Sequence, residues 1–142
     1  MLEWAWAEER LTRSHDFWLA TGGPDGRPHV MPVWGVWRDD ALWFSSALSS
    51  RKARNLATNP MCAATTDDPQ QPVVLEGAAE LVGALDAIAR FAEAVNAKYD
   101  AHYPASFYDP AVNGTWRLEP SWAFGLDEAD FPGSPTRWVF AR

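Results

Sequence analysis

Residues 17–37 read Phe-Trp-Leu-Ala-Thr-Gly-Gly-Pro-Asp-Gly-Arg-Pro-His-Val-Met-Pro-Val-Trp-Gly-Val-Trp. Phe17 to Thr21 is a short apolar, aromatic run with strand character. Gly22 to Gly26 is a dense turn signal. A second run, about Arg27 to Trp37, returns as a strand, so the whole reads as a β-hairpin. That second strand is unusual. Pro28 and Pro32 lack an N–H and are disfavoured inside a sheet. His29, Met31, Val33 and Trp37 share one face; Val30, Trp34 and Val36 share the other. A strand apolar on both faces is packed on both sides, by protein or by ligand. Pro32 marks either an edge or bulge, or a place where a flat ring lies against backbone.

Working outward, residues 2–14 read as a helix with Trp4, Ala7 and Leu11 on one face. Ala41 to Ser46 is a third strand after the Arg38-Asp39-Asp40 turn. Residues 50–59 form a helix capped by Ser49 or Ser50 and stopped by Asn59-Pro60. Met61 to Thr66 and Val73 to Val82 are strands. A longer helix covers about 85–101, with Leu85, Ile88, Phe91 or Ala92, Val95 and Tyr99 in its apolar stripe. The stretch 102–114 reads as a loop, followed by strands near 115–118, 121–126 and 136–141. Six to eight strands with two or three helices predict a mainly β protein, a small barrel with helices outside. Length predicts one domain over residues 1–142.

Composition narrows the function. Twelve Lys and Arg stand against 19 Asp and Glu, a net charge of -7. So acidic a chain is a poor nonspecific nucleic-acid binder. Cys62 is the one cysteine, which excludes an intramolecular disulfide and fits a reducing compartment. No apolar run approaches the roughly 18–20 residues of a membrane span. Glu3, Glu8 and Glu9 do not suit a secretory leader, so the expected location is the cytoplasm. Nine tryptophans are the compositional oddity; none falls between 44 and 115.

The segment Ser49-Ser50-Arg51-Lys52-Ala53-Arg54-Asn55 carries the strongest chemical signal. A helix start carries partial positive charge and prefers Asp or Glu. Here it holds three cations and no anion. A bound anion would resolve that conflict, met by backbone N–H groups, serine hydroxyls and the cations. The alternative is a solvated basic face. Histidines are few (His15, His29 and His102), and none has metal-ligand spacing. Cys62 reads as a small buried filler. No carboxylate pair stands out for acid–base work. An anion site without a protein catalyst points to a bound organic cofactor.

The runs Phe17–Thr21, Asp25–Val30 and Pro32–Trp34 resemble the opening of the pyridoxamine 5′-phosphate oxidase-like superfamily. Leu42–Ser46, Ser50–Leu56 and Asn59-Pro60 are similar to its phosphate-binding strand and helix. Pro135 to Phe140 resembles the ending of its small flavin/deazaflavin oxidoreductases. The resemblance implies a split β-barrel homodimer with a flavin-type cofactor in the interface cleft. It implies that Ser50, Arg51, Lys52 and Arg54 meet the phosphate, with Asn55 supporting the turn. Ser45 and Ser46 approach the cofactor, and Met31, Pro32 and Val33 line its ring. Arg137 and Trp138 come from the partner chain, while His29 and Trp34 lie near the substrate.

The expected function is therefore an oxidoreductase transferring a hydride to or from a small conjugated molecule. The Ser-Arg-Lys-x-Arg-Asn and Thr-Arg-Trp runs lean toward coenzyme F420 over FMN. True pyridoxamine-phosphate oxidases are longer and carry a substrate-binding ending with Arg and His. Arg117-Leu118-Glu119-Pro120 only faintly resembles it, so that activity is not expected. Two alternatives stay open. One is a non-catalytic flavin- or haem-binding barrel, with His29 or His102 as axial ligand. The other is a barrel for an apolar ligand, with 51–54 merely solvated.

Overall fold

Alternation and turn chemistry set eight strands and three α-helices in the computed structural model, which describes residues 1–141. Helix α1 (Trp4–Arg13) leads into β1 (Asp16–Gly22) and β2 (Pro28–Trp34). Strands β3 (Val36–Arg38) and β4 (Ala41–Ala47) precede α2 (Arg51–Thr58). Strands β5 (Met61–Thr66) and β6 (Val73–Leu81) are followed by α3 (Leu85–Tyr99). Strands β7 (Asn113–Gly125) and β8 (Thr136–Val139) complete the sheet.

All strand pairs are antiparallel, in the order β2-β1-β5-β6-β7-β4-β3, with β8 beside the end of β7. The two ends of that order, β2 and β3, are neighbours in sequence, separated only by Gly35. The sheet must therefore roll until its edges meet at one residue. The expected single strand from Arg27 to Trp37 is thus two strands, broken where the chain leaves one edge for the other. A Cβ on Gly35 would lie 2.8 Å from the Phe17 ring and 3.0 Å from a Leu42 methyl. Only a glycine passes there undisturbed.

A second difference concerns residues 115–126. The two expected strands are one continuous strand, running through Pro120. Its pairing with β6 shifts between Glu76 and Gly77, which absorbs the proline. A Cβ on Gly77 would sit 2.4 Å from the Glu119 carbonyl, so glycine is needed for that close approach. The expected loop 102–114 contains a 3-10 turn, Ala105–Tyr108, and yields its last two residues to β7. The final strand ends at Val139 rather than 141, and α3 ends at Tyr99 rather than 101.

The barrel interior holds Phe17, Leu19, Phe44, Leu75 and Leu118, all buried. Helix α1 covers it with Ala7 and Leu11. Helix α3 builds a second cluster, packing Ile88, Phe91 and Val95 against Ala41, Trp43 and Tyr108. Prolines 28 and 32 are tolerated because β2 is an edge strand. Val30 (52%), Trp18 (46%) and Met61 (53%) stay exposed, and so does Met31 (45%) on the other face of β2. Val30 pairs with Ala20, Pro32 with Trp18, and Met61 shares their side of the sheet, so these form one continuous apolar face.

Gly35→Ala is expected to lower stability by about 1–3 kcal/mol through overpacking at Phe17 and Leu42. Urea unfolding checks it, read as a lower midpoint at unchanged slope.

Candidate functional site

Helix α2 starts with no acidic residue in its first turn. Ser50 is the N-cap, and its hydroxyl accepts from the Ala53 N–H at 3.1 Å. The Ser46 hydroxyl lies 2.8 Å from that of Ser50. Arg54 donates to the Ser49 carbonyl at 3.0 Å. Among the described residues, none of Arg51, Lys52 and Arg54 forms an ion pair with a carboxylate. Burial lowers the pKa of Lys52 below its ordinary value. The protonated form therefore costs folding free energy below that lowered pKa, and the cost fades as pH rises toward the unfolded value. Such a charge is retained at a loss to the isolated chain.

Lys52 lines a pocket of about 210 Å3 with Ser45, Pro32, Val33 and Trp34. Strands β2 and β4 and helix α2 thus bring together five of the residues picked out in the sequence. Sequence reasoning missed the opposite wall, where Phe91 and Val95 of α3 stand with Tyr103, Phe107 and Tyr108. Tyr103 and Phe107 stack at 4.6 Å, and both are exposed. The only sequence signal was their density of aromatics inside a stretch with loop character.

Three larger grooves lie elsewhere. One runs between Trp4, Trp37 and Phe140 with Asp40, one holds Arg117 with Glu80 and Glu119, and one is lined by Asp68, Gln71, Asp127 and Glu128. None of them combines an uncompensated cation with hydroxyls, so the smaller pocket is the chemical candidate.

The remaining picked residues fall in different places. Asn55 is buried, and its amide donates to the Thr21 hydroxyl at 3.0 Å, tying α2 to β1. Met31 opposes Leu19 on the edge strand and is exposed. His29 does not line the pocket with Trp34. Burial, then Arg51 and Lys52, lower its pKa, which places it toward the cationic helix start. Its Nδ1 is buried without a hydrogen-bond partner. Arg137 sits over Trp122, and Trp138 packs edge-on against Trp4 at 5.2 Å. Neither lines the pocket within one chain. Cys62 is buried, and burial pushes its thiol pKa up to about 12, as suits an inert filler.

The rolled antiparallel sheet, open along an exposed edge strand, defines a split β-barrel. The chain belongs to the pyridoxamine 5′-phosphate oxidase family, whose model matches residues 5–125. Among solved structures, one called F420 reductase is 28% identical, with a TM-score of 0.68 over 82% of this chain and 94% of that one. A conserved hypothetical protein from Mycobacterium tuberculosis is 25% identical, with a TM-score of 0.80 over 99% of this chain and 94% of that one. A haem-binding protein from Mycobacterium smegmatis shares the fold at 22% identity, with a TM-score of 0.75 over 98% of this chain and 59% of its own. No curated protein matches the chain. Among the described residues, no helix is long and apolar enough to cross a membrane, and no cluster could hold a metal ion.

Lys52→Met is expected to leave the ligand-free protein at least as stable as the wild type at pH 7. Asn55→Ala is expected to cost about 1–3 kcal/mol by orphaning a buried hydroxyl. Thermal and urea unfolding of the two variants, side by side, read the contrast.

Proposed function

We propose that this protein is an oxidoreductase that uses a flavin-type cofactor, coenzyme F420 before FMN, on a small conjugated molecule. The observation that carries the reading is the α2 start: three cations with no carboxylate partner, two hydroxyls 2.8 Å apart and a buried orphan nitrogen on His29. Those residues fit the phosphate of such a cofactor, because anions are held where N–H groups and cations converge. The structural likeness to an F420 reductase supports the deazaflavin choice.

In this reading Ser50, Arg51, Lys52 and Arg54 hold the phosphate, with His29 beside them. Ser45, Ser46, Met31, Pro32 and Val33 line the ring. When bound, the cofactor supplies the hydride chemistry that the side chains lack. Trp34 offers a flat wall to the second reactant, and the aromatic lining excludes water. Asn55 keeps a structural role, holding α2 in place.

One chain supplies only part of a site. About 210 Å3 is below the roughly 300–1,000 Å3 of ordinary ligand pockets. The exposed apolar face around Val30 and Trp18 favours a homodimer that completes the cleft, with Arg137 and Trp138 reaching it from the second copy. A haem-storage role would need an axial imidazole at the pocket, and neither His29 nor His102 lines it.

Titration of the purified protein with F420 and, separately, with FMN tests the reading by fluorescence. Binding of F420 at micromolar concentration is expected. Arg51→Ala and Lys52→Ala should each weaken it by about 10-fold or more, the loss of one charge-assisted contact. Failure to bind either cofactor would overturn the reading, and a Soret band would replace it with haem. Val30→Lys is expected to turn a dimer into a monomer in sedimentation velocity.

A further inference from the structure

Gly35 presents a backbone problem. It lies between the two edges of the rolled sheet, outside both strands it joins. A buried N–H or C=O left unmatched costs about as much as a lost hydrogen bond. Both groups of Gly35 find partners more than 60 residues away, on the last turn of α3. The Gly35 N–H donates to the Tyr99 hydroxyl at 2.9 Å. Its carbonyl accepts from Lys98 Nζ at 2.7 Å. The same Lys98 donates to the Ser14 carbonyl at 2.6 Å, and the Tyr99 hydroxyl donates to the His15 carbonyl. Two adjacent side chains thus bind the seam of the barrel to the junction between α1 and β1.

The seam adjoins the pocket. Trp34, next to Gly35, lines the pocket and stacks on the Tyr99 ring at 4.1 Å, with 2° between the planes. One face of the indole is thereby occupied, while the residue remains 39% exposed. Tyr103 meets it edge-on at 6.4 Å. The plane of the indole is set by Tyr99, and Tyr99 is set by the seam.

We propose that Lys98 and Tyr99 are positioning residues of the pocket: by clamping Gly35 they fix the plane in which Trp34 meets a flat reactant. The functional weight of this clamp rests on the pocket assignment above, and the clamp itself does not. Lys98 is faced by Asp16 of β1 and Asp67 of the β5–β6 turn, with Tyr99 beside it. Burial outweighs the two carboxylates and brings the Lys98 pKa down to about 8. Burial pushes the Tyr99 hydroxyl up to about 12, so it stays protonated while Lys98 titrates.

The test is fluorine NMR of ligand-free protein labelled with 5-fluorotryptophan, with Trp34→Phe and Trp122→Phe assigning two of the signals. The Trp34 signal is expected to move in Lys98→Met and in Tyr99→Phe, which keeps the stacking ring and loses only the hydroxyl. The Trp122 signal should stay, and Arg90→Gln on the exposed side of α3 should move neither. Between pH 7.5 and 9.5, above the usual imidazole range, the wild-type Trp34 signal should titrate with a midpoint near 8. That response should vanish in Lys98→Met. Should Lys98→Met fail to fold, Tyr99→Phe and the wild-type titration decide. An unmoved Trp34 signal in Tyr99→Phe, a wild-type Trp34 signal that does not titrate across that pH range, or a pH response that survives Lys98→Met, overturns the proposal. F420 titration of the wild type is scored separately, so loss of the cofactor reading leaves this result standing.

Discussion

The fold depends on one crossing. Strands β2 and β3 stand at opposite ends of the sheet order and are joined by Gly35 alone. A connection of one residue cannot span an open sheet, since a residue reaches only about 3.3–3.6 Å. The sheet must close, and it must close at this point. Strand twist makes such rolling natural, and glycine lets the chain slip past Phe17 and Leu42. Closure is incomplete, because β2 carries Pro28 and Pro32 and offers no full ladder to a neighbour. The opening that results is where an apolar strand, the hydroxyls of β4 and the start of α2 come near one another.

Electrostatics at that opening works against the isolated chain. Arg51, Lys52 and Arg54 crowd the positive end of a helix dipole in an acidic protein, without a carboxylate among them. Desolvation of Lys52 adds to the cost. Asn55 compensates by anchoring the same helix through Thr21. Within five residues, α2 thus separates two tasks. Asn55 and its buried neighbours stabilise, and the cations of the first turn stay without a carboxylate partner among the described residues. A helix selected for stability alone would carry Asp or Glu at those positions.

Much of this was legible in the sequence, and the boundary is instructive. Strands β1, β4, β5 and β6 followed from alternation and turn residues, because those signals are local. The cap at Ser50 and the cation cluster were legible for the same reason. The break at Gly35 was not: a lone glycine within an apolar run looks like strand, and only the sheet order reveals the crossing. Continuity through Pro120 was hidden because its compensation, Gly77, lies on another strand. His29 and Trp34 looked like partners near one reactant. Their opposite parity along β2 puts them on different faces, and of the two only Trp34 lines the pocket. The roles of Lys98 and Tyr99 had no local trace, since both act on backbone atoms more than 60 residues away.

The distribution of tryptophans now has a physical reason. Trp4 and Trp138 pack in the aromatic layer that seals α1 onto the barrel, with Phe140. Trp43 and Trp116 fill the interior and the α3 cluster. Trp34 differs from these, because its ring is held on one side and open on the other. A ring used for stability alone would gain by burying both faces. Leaving one face open is a cost that the core does not require. The exposed side of Trp34 and the uncompensated charges of α2 are thus two costs that folding of the chain alone does not require.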